Sequence, residues 1–339
     1  MLKDLNVLYT CDDNYAPFSG ISMCSLFENN RDLPRIRVFL IGENLSEENT
    51  ARLQSLAEAY GREVVIKSSD EVVATMQSLK LPEYRNSRAA NFRLFFETVV
   101  TEEDVETLLY LDSDTLVVNS LRPLLELDFE GNVMAVVQDA LATRYQKLVG
   151  VTGKYFNSGF LYIDVKRWKE EGVQKQLTDY MREVRSEFCN PDQDVLNLVL
   201  GSRVRVLSPA YNFQPIHRIC KNKHYFKIYR PDTYYTEQEL ADAVSAPVVL
   251  HCYRVLGTFP WHAAKYHPDI ALFDAYKEKS PWRESKKLQA PGGLVFGIER
   301  MMYRFLPKRI FFKIFEMITY RNFKKRDDGM QKTAQQLAE

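Results

Sequence analysis

LLYLDSDTLVV, Leu108–Val118, is an apolar run broken by two carboxylates one residue apart. With Thr107 before it, its first part, TLLYLD (Thr107–Asp112), has the length and side chains of a β-strand. Asp112 and Asp114 then stand together at a strand end, where like charges repel and a positive partner would settle them. The flanking sequence repeats the same unit. Upstream, NVLYT (Asn6–Thr10), RIRVFLIG (Arg35–Gly42) and EVVIKS (Glu63–Ser68) read as strands. FSGISMCSLFENN (Phe18–Asn30), NLSEENTARLQSLAEAYG (Asn44–Gly61) and AANFRLFFETVV (Ala89–Val100) alternate with them as helices. The second helix carries its own punctuation: Ser46 as cap, Glu47 and Glu48 for its positive N-terminus, Gly61 to end it. Downstream, VMAVVQD (Val133–Asp139), SGFLYIDV (Ser158–Val165) and PVVLHCY (Pro247–Tyr253) read as strands. VQKQLTDYMREVRSEF (Val173–Phe188) and DQDVLNLVLG (Asp192–Gly201) read as helices. This alternation predicts an α/β sheet with helices on both faces. Ligands of such sheets gather at the carboxyl ends of the strands.

Composition limits the function classes. The 339 residues are 45% apolar, with 20 Phe and 19 Tyr, enough for a large core and against disorder outside the tail. A formal charge of zero gives the whole chain no electrostatic reason to bind nucleic acid. The zero is a cancellation. Residues 300–326 carry nine Lys or Arg against one acid, Glu316, an excess of +8; residues 327–339 sum to −2 and residues 1–299 to −6. Five cysteines, Cys11, Cys24, Cys189, Cys220 and Cys252, are odd in number and lack CxxC spacing, which reads as reduced thiols. MLKDLNVLYTCDDNY has no apolar signal core, and no segment approaches the ~20 apolar residues of a spanning helix. The expectation is a cytoplasmic protein. Proline and glycine gather at QAPGG (Gln289–Gly293), the expected boundary between a body, residues 1–290, and a basic extension, residues 291–339.

At a strand end, DSD is a candidate metal site. Two hard oxygen ligands one residue apart can turn toward one Mg2+ or Mn2+ and leave positions for water and phosphate oxygens. The alternative is an Asx-rich turn. TCDDNY (Thr10–Tyr15) follows the first strand, where a nucleotide would lie, yet the chain has no GxGxxG. A nucleotide without a glycine-rich cradle needs another positive charge near its diphosphate, and a metal on Asp112 and Asp114 would provide it.

Six stretches now fall in order: LYTCDDNYAP (Leu8–Pro17), NFRLFFE (Asn91–Glu97), LLYLDSDTLVV, YFNSGFLYIDVKRW (Tyr155–Trp168), NPDQDVLN (Asn190–Asn197) and LHCYRVLGTFPWH (Leu250–His262). Together they resemble glycosyltransferase family 8, the retaining, metal-dependent sugar transferases of bacterial lipopolysaccharide synthesis and of glycogenin. The resemblance covers roughly residues 5–265. It implies a GT-A-like fold, a Rossmann-like mixed sheet that binds a nucleotide sugar and is flanked by helices. It also implies a UDP-hexose donor, glucose or galactose, and Mn2+ or Mg2+. Thr10, Asp12, Asn14 and Tyr15 would hold base and ribose, with Tyr15 against the uracil face and Asp12 accepting its N–H. Arg93 would reach the donor sugar and diphosphate. Asp112, Asp114 and His251 match the metal ligands, and Ser113 lies between the acids on the donor side. Asn157 and Ser158 would bind the donor sugar. Asp192 and Gln193 would grip sugar hydroxyls beneath the anomeric carbon. With Asp194, and with Asp139 as an acid near the acceptor, they form the candidate catalytic set. Without the resemblance, Arg93 is a helix arginine with a solvated head, His251 a structural histidine, NSG a turn and DQD a helix N-terminus.

The last motif departs from the family. There the pattern commonly reads His, two residues, Gly, two residues, Lys-Pro-Trp, with the lysine on the diphosphate. Here Phe259 stands in the lysine's place, so either Arg254 or Lys265 replaces that cation or the donor is held more weakly there, with Arg254 and Gly257 on the donor side. Retention is expected by front-side attack with Gln193 as a stabiliser, or by double displacement through Asp192, Asp194 or Gln193.

Beyond the body, PKRIFFKIFEMITYRNFKKR (Pro307–Arg326) puts Ile310, Phe311, Ile314, Phe315, Met317 and Ile318 on one helical face. Lys308, Arg309, Lys313 and Lys324 lie opposite, the pattern of a helix on an anionic membrane surface. The alternative is a helix packed on the body with its basic face solvated. The expected acceptor is a saccharide or lipid-linked glycan, and the expected location the inner face of the cytoplasmic membrane. Two rival functions remain. DSDT also fits the opening motif of haloacid-dehalogenase-type phosphatases, with Asp112 as nucleophile. The missing lysine would also suit a non-catalytic nucleotide-sugar-binding membrane protein.

Overall fold

A computed structural model of the chain describes residues 4–79, 88–140, 143–151, 153–183 and 191–338, the side chains of Pro191 and residues 327–338 excepted. Among the described residues there are nine strands: β1 (Leu5–Asp12), β2 (Ile36–Glu43), β3 (Glu63–Ser68), β4 (Thr107–Leu111), β5 (Thr115–Val117), β6 (Met134–Gln138), β7 (Phe156–Asp164), β8 (Val204–Val206) and β9 (Val249–His251). Seven form one sheet in the order β3-β2-β1-β4-β7-β6-β8. Neighbours run parallel except β7, which is antiparallel to both β4 and β6. The reversal matters for the site. The start of β7 lies beside the ends of β4 and β6, with Leu111 opposite Phe160 and Gln138 opposite Phe156. Asn157, Ser158 and Gly159 thus share one sheet edge with Asp112 and Asp139.

Strand side chains alternate between two cores, as the pleat requires. Along β4, Leu109 and Leu111 enter the core that Leu26 and Phe27 of helix Ala16–Glu28 and Leu53 and Leu56 of helix Glu47–Ala59 cover. Leu108 and Tyr110 enter the other, with Phe92, Phe96, Trp168 and Leu177. Helix Glu47–Ala59 starts and stops as its sequence predicts. The Ser46 side chain accepts from the Asn49 N–H at 3.2 Å, and Gly61 takes φ +61° just beyond the end.

Three segments differ from expectation. Ala89–Val100 is not one helix: α-helical turns Ala89–Phe92 and Phe96–Val99 flank a 3-10 turn, Arg93–Phe95. Phe92, Leu94, Phe95 and Phe96 are all fully buried. Four such neighbours would circle a regular helix, so the segment breaks and packs in several directions. Asp70–Ser78 forms a helix that the strand-and-helix reading left unassigned. PVVLHCY supplies only β9, which leaves the main sheet and pairs antiparallel with β5, Thr115 opposite His251. A tight turn redirects the chain there, with both the N–H and hydroxyl of Thr115 donating to the Asp112 carbonyl. Helix Val173–Glu183 matches its expected start; its expected continuation to Phe188 lies outside the described residues.

After QAPGG come helices Leu294–Phe305 and Lys308–Ala338. The second buries Phe311 and Phe312 and pairs Glu316 with Arg144, while Ile310, Met317 and Ile318 stay about half exposed. Its buried side is therefore rotated from the face the apolar spacing suggests, because the Arg144 contact draws Glu316 inward. Among the described residues no helix is long and apolar enough to cross a membrane.

Candidate active site

The ribbon of β5 and β9 closes the cluster that the sequence leaves far apart. His251, opposite Thr115, brings its Nε2 to 3.2 Å from Asp114 Oδ1 and 3.6 Å from Asp112 Oδ2. The Cys252 N–H donates to the Asp114 carbonyl at 2.7 Å and pins the two segments together. One ligand atom from each of Asp112, Asp114 and His251 lies within 4.8 Å of the others, a spacing that one metal ion could bridge. The other imidazole nitrogen, Nδ1, sits 3.0 Å from Asn212 Oδ1. An amide oxygen only accepts, so Nδ1 carries the proton and Nε2 faces the acids, the arrangement usual for a metal-bound histidine. Burial works to lower the His251 pKa, but Asp114 and then Asp112 outweigh it and raise it above the ordinary range. Gly159 leaves the room: a Cβ there would meet His251 Cε1 at 2.4 Å and Asp112 Oδ2 at 2.6 Å. NSG is thus part of β7 and not a turn, and its glycine is needed for close packing.

Arg93 supplies the positive partner for the acids. Its Nη2 is 2.8 Å from Asp112 Oδ1 and its Nε 3.3 Å from Asp192 Oδ2. Nη1 donates to the Ser158 carbonyl and Nε to the Ala90 carbonyl, both at 2.7 Å, and the guanidinium lies 4.3 Å from the Tyr110 ring centre. The solvated helix arginine is thereby excluded; this residue is 6% exposed. Burial would raise the Asp112 pKa, but Arg93, His251 and a 2.7 Å hydrogen bond from the Tyr110 hydroxyl hold it below the ordinary carboxylate range. With its proton on Asp112, Tyr110 accepts from Thr10 Oγ1 at 3.2 Å, which ties β1 to the acidic loop.

Behind the acids, polar side chains fix one another. Gln193 Oε1 accepts from the Ser158 N–H at 3.0 Å and from Asn157 Nδ2 at 3.2 Å. Gln193 Nε2 donates to Asp139 Oδ2 and to the Tyr155 hydroxyl, each at 3.1 Å. Asp192 Oδ2 accepts from Ser158 Oγ at 2.7 Å, and Asn157 Oδ1 accepts from Asn212 at 2.8 Å. DQD also opens helix Pro191–Leu200, so the helix-start reading and the cleft placement hold together.

One cavity of about 520 Å3 gathers most of the candidates: Thr10, Asp12, Tyr15, Arg93, Asp112, Ser113, Asp114, Asp139, Asn157, Ser158, Asp192, Gln193, His251 and Arg254. Three do not line it. Asn14 is exposed in the turn after β1. Asp194 is buried, and its carboxylate accepts from the Tyr155 hydroxyl at 2.5 Å and from Tyr145 at 3.3 Å. Gly257 sits under the Phe296 ring, where a Cβ would come within 2.5 Å. Asp12 accepts the Tyr15 N–H at 3.0 Å, while its neighbour Asp13 binds Ser46 and Asn49 and only secures the loop. Of the two substitutes for the family lysine, Arg254 reaches the cavity and Lys265 does not line it. Phe259 stacks on Trp261, ring centres 4.5 Å apart. Sequence reasoning missed Asn212 and Tyr110. Tyr110 was accessible, since it lies two residues before Asp112 and shares its side of the chain; no local pattern marks Asn212.

A mixed sheet with one reversed strand is the GT-A fold, and a solved structure of similar fold is the galactosyltransferase LgtC in complex with donor and acceptor sugar analogues. That structure aligns with a TM-score of 0.66 at 23% identity, over 82% of this chain and 96% of its own. The chain matches the profile of Glycosyl transferase family 8 over residues 6–264 and belongs to that family; it is a glycosyltransferase. General stress protein A of Bacillus subtilis is 25% identical over 288 residues, 83% of this chain and 96% of its own length. Lipopolysaccharide 1,2-glucosyltransferase of Escherichia coli K12 is 28% identical over 300 residues, 86% of this chain and 83% of its own. Family membership displaces the phosphatase reading of DSDT.

Proposed function

We propose that the enzyme moves a hexosyl group, glucose or galactose, from a UDP-sugar to a saccharide acceptor, with retention at the anomeric carbon. The observation that carries this is one cavity holding an Asp-Asp-His cluster, a buried arginine and the Asp192–Gln193 pair. Asp112, Asp114 and His251 would hold Mn2+ or Mg2+, for which the two carboxylates are suitable hard oxygen ligands. When bound, the ion supplies positive charge that stabilises the departing diphosphate. The remaining work falls to the chain. Tyr15, 39% exposed at the cavity lip, offers its ring to the uracil beside Asp12. Arg93 orients Asp112 and Asp192, and Arg254, which lines the same cavity, would take the family lysine's part at the diphosphate. Gln193 is held at both ends of its amide, a fixed dipole and a poor nucleophile. Front-side attack, with the leaving phosphate taking the acceptor proton, suits it better than a covalent sugar on Gln193.

The lipopolysaccharide glucosyltransferase among the relatives supports a lipid-linked glycan as acceptor. The chain's end supports attachment to the anionic inner face of the cytoplasmic membrane: Leu294, Val295, Met301 and Phe305 are exposed near Arg304, Lys308 and Arg309. Hydrolysis of UDP-glucose and UDP-galactose, assayed with Mn2+ and with chelator, tests the reading. Turnover of one donor, lost with chelator and in Asp114→Ala, is expected. Equal turnover with chelator refutes the metal, and donor binding without turnover identifies a non-catalytic binder. Co-sedimentation with phosphatidylglycerol vesicles, weakened by salt, checks the membrane.

A further inference from the structure

Front-side attack leaves Asp194 without a task. The residue is 1% exposed, in the first turn of helix Pro191–Leu200, and it does not line the cavity. Tyr155 links it to Gln193. The Tyr155 hydroxyl donates to Asp194 Oδ1 at 2.5 Å, and its oxygen accepts from Gln193 Nε2 at 3.1 Å. Tyr145 adds a longer bond to the same carboxylate, at 3.3 Å. Burial, and after it the Asp194 charge, push the Tyr155 hydroxyl well above the usual tyrosine range, so it keeps its proton.

One role for this link would be to dock the helix on the sheet, but Asn197 already does that. Asn197 Oδ1 accepts from the Phe156 N–H, and Asn197 Nδ2 donates to the Phe156 carbonyl, both at 2.8 Å. Val195, Leu196 and Leu200 of the same helix add buried apolar contact. The link has a separate consequence for Gln193. A primary amide can be turned end for end with little change of shape, so its neighbours decide where the oxygen lies. The Ser158 N–H can only donate, which calls for Oε1 beside it. Asp139 Oδ2 accepts from Nε2, but Asp139 lines the cavity, open to an incoming acceptor. Tyr155 lies behind it, 1% exposed. A hydroxyl alone would tolerate either end of the amide, because it can donate or accept. Asp194 removes that freedom. It takes the hydroxyl proton and leaves only lone pairs for Gln193.

We propose that Tyr155 and Asp194 are positioning residues that hold the Gln193 amide in one orientation, and that Asp194 acts through Tyr155 and not on the sugar. A fixed dipole needs no reorganisation as charge develops on the sugar, whereas a turning one does. The inference rests on the reading of Gln193 as the group that stabilises the sugar during transfer, and deepens it.

The test begins with NMR of the full chain, isotope-labelled at glutamine nitrogen. The Gln193 side-chain NH2 pair is identified by its loss in Gln193→Ala. In Tyr155→Phe the pair should shift, and its hydrogen exchange should quicken about threefold to tenfold, as one lost hydrogen bond of ordinary strength implies. Asp194→Asn should act in the same direction, since its own amide can donate to the hydroxyl oxygen and compete with Gln193. Turnover of the UDP-sugar gives the second reading. Each variant should lower kcat about threefold to tenfold and leave donor KM within about twofold. Neither should lower kcat further once Gln193 is alanine. Tyr162→Phe is the control for a structural loss. It deletes another buried hydroxyl bond, from β7 to Thr107 at 3.2 Å, and should leave the NH2 pair and kcat unchanged. An NH2 pair unmoved in Tyr155→Phe overturns the inference. So does loss of turnover in Asp194→Asn while Tyr155→Phe keeps it in full, the pattern of an acid that attacks the sugar itself. A Gln193→Ala enzyme with wild-type kcat, or a wild type without turnover, strikes the reading beneath the inference instead, and the NH2 pair still decides the positioning. Tyr155→Phe, which keeps the buried ring, decides even where Asp194→Asn fails to fold.

Discussion

Arg93→Met removes the cation that Asp112 and Asp192 share while keeping an apolar stem in place. The three side chains are 5%, 21% and 8% exposed, so the variant strands two carboxylates that water reaches poorly. Removing one partner of a buried pair costs about 3–5 kcal/mol, and the partial exposure of Asp112 points to the lower end, about 3 kcal/mol. An unfolding entropy near 2.1 cal/mol/K per residue amounts to about 0.7 kcal/mol/K over this chain, so Tm should fall by about 4 °C without metal. Mn2+ at Asp112 and Asp114 would return positive charge to the same place. It should therefore raise the variant's Tm more than the wild type's. Acid should narrow the gap as well. Because the folded Asp112 pKa is depressed, its pairing stabilises the fold above the unfolded value of about 3.9 and is lost as pH falls through the folded value. The two proteins should thus converge toward acid. Calorimetry with chelator, with Mn2+, and along a pH series reads all three. An unchanged Tm in chelator, or equal gains from Mn2+ in both proteins, would refute the assignment of Arg93 as the counter-charge of the cluster.

Three further outcomes follow from the same geometry. Asn212→Leu removes the acceptor for His251 Nδ1 and should weaken Mn2+ binding about 10–100-fold by titration; unchanged affinity would deny the outer contact any role. Arg254→Met should weaken UDP binding about fivefold and reduce its salt dependence, whereas Lys265→Met should do neither. If the two behave alike, Arg254 is not the stand-in for the family lysine. Burial lowers His217 to about 3 and His267 to about 4. Both are neutral in either state above about pH 6.5, so stability should hold there and fall below it as the unfolded chain takes up protons, by up to about 1.4 kcal/mol per pH unit for each. Urea unfolding between pH 7 and pH 5 measures the slope, which His217→Gln with His267→Gln should flatten.

The strands and helices of the first third were legible because each is a local pattern: β1, β2 and β3, and the capped helix Glu47–Ala59, depend on neighbours in sequence. Legibility failed where burial is total. Phe92 to Phe96 offer no polar face from which a period could be read, so the break that turns Arg93 into the cleft left no trace in the pattern. The rotation of the terminal helix failed for a different reason. Its apolar spacing suggests one face, but the contact that selects the other is made with Arg144, 172 residues away.

The candidate site shows the same division more sharply. Asp112 and Asp114 were visible as a pair because a strand end presents them one residue apart. Their third member came within reach only through the resemblance to a family, since β5 and β9 are three-residue strands whose pairing no local pattern announces. FNSG is the instructive case. On its own it reads as a turn, because asparagine, serine and glycine favour turns. In the fold it begins an antiparallel strand, and each residue answers a distant demand: Asn157 bonds Asp139 and Asn212, Ser158 bonds Asp192 and Arg93, and Gly159 leaves space for His251 and Asp112. Each motif is weak alone because it holds half of a contact whose other half lies elsewhere in the chain. Their shared order along the sequence is informative for that reason: a single sheet edge, made by one reversed strand, requires all of them at once.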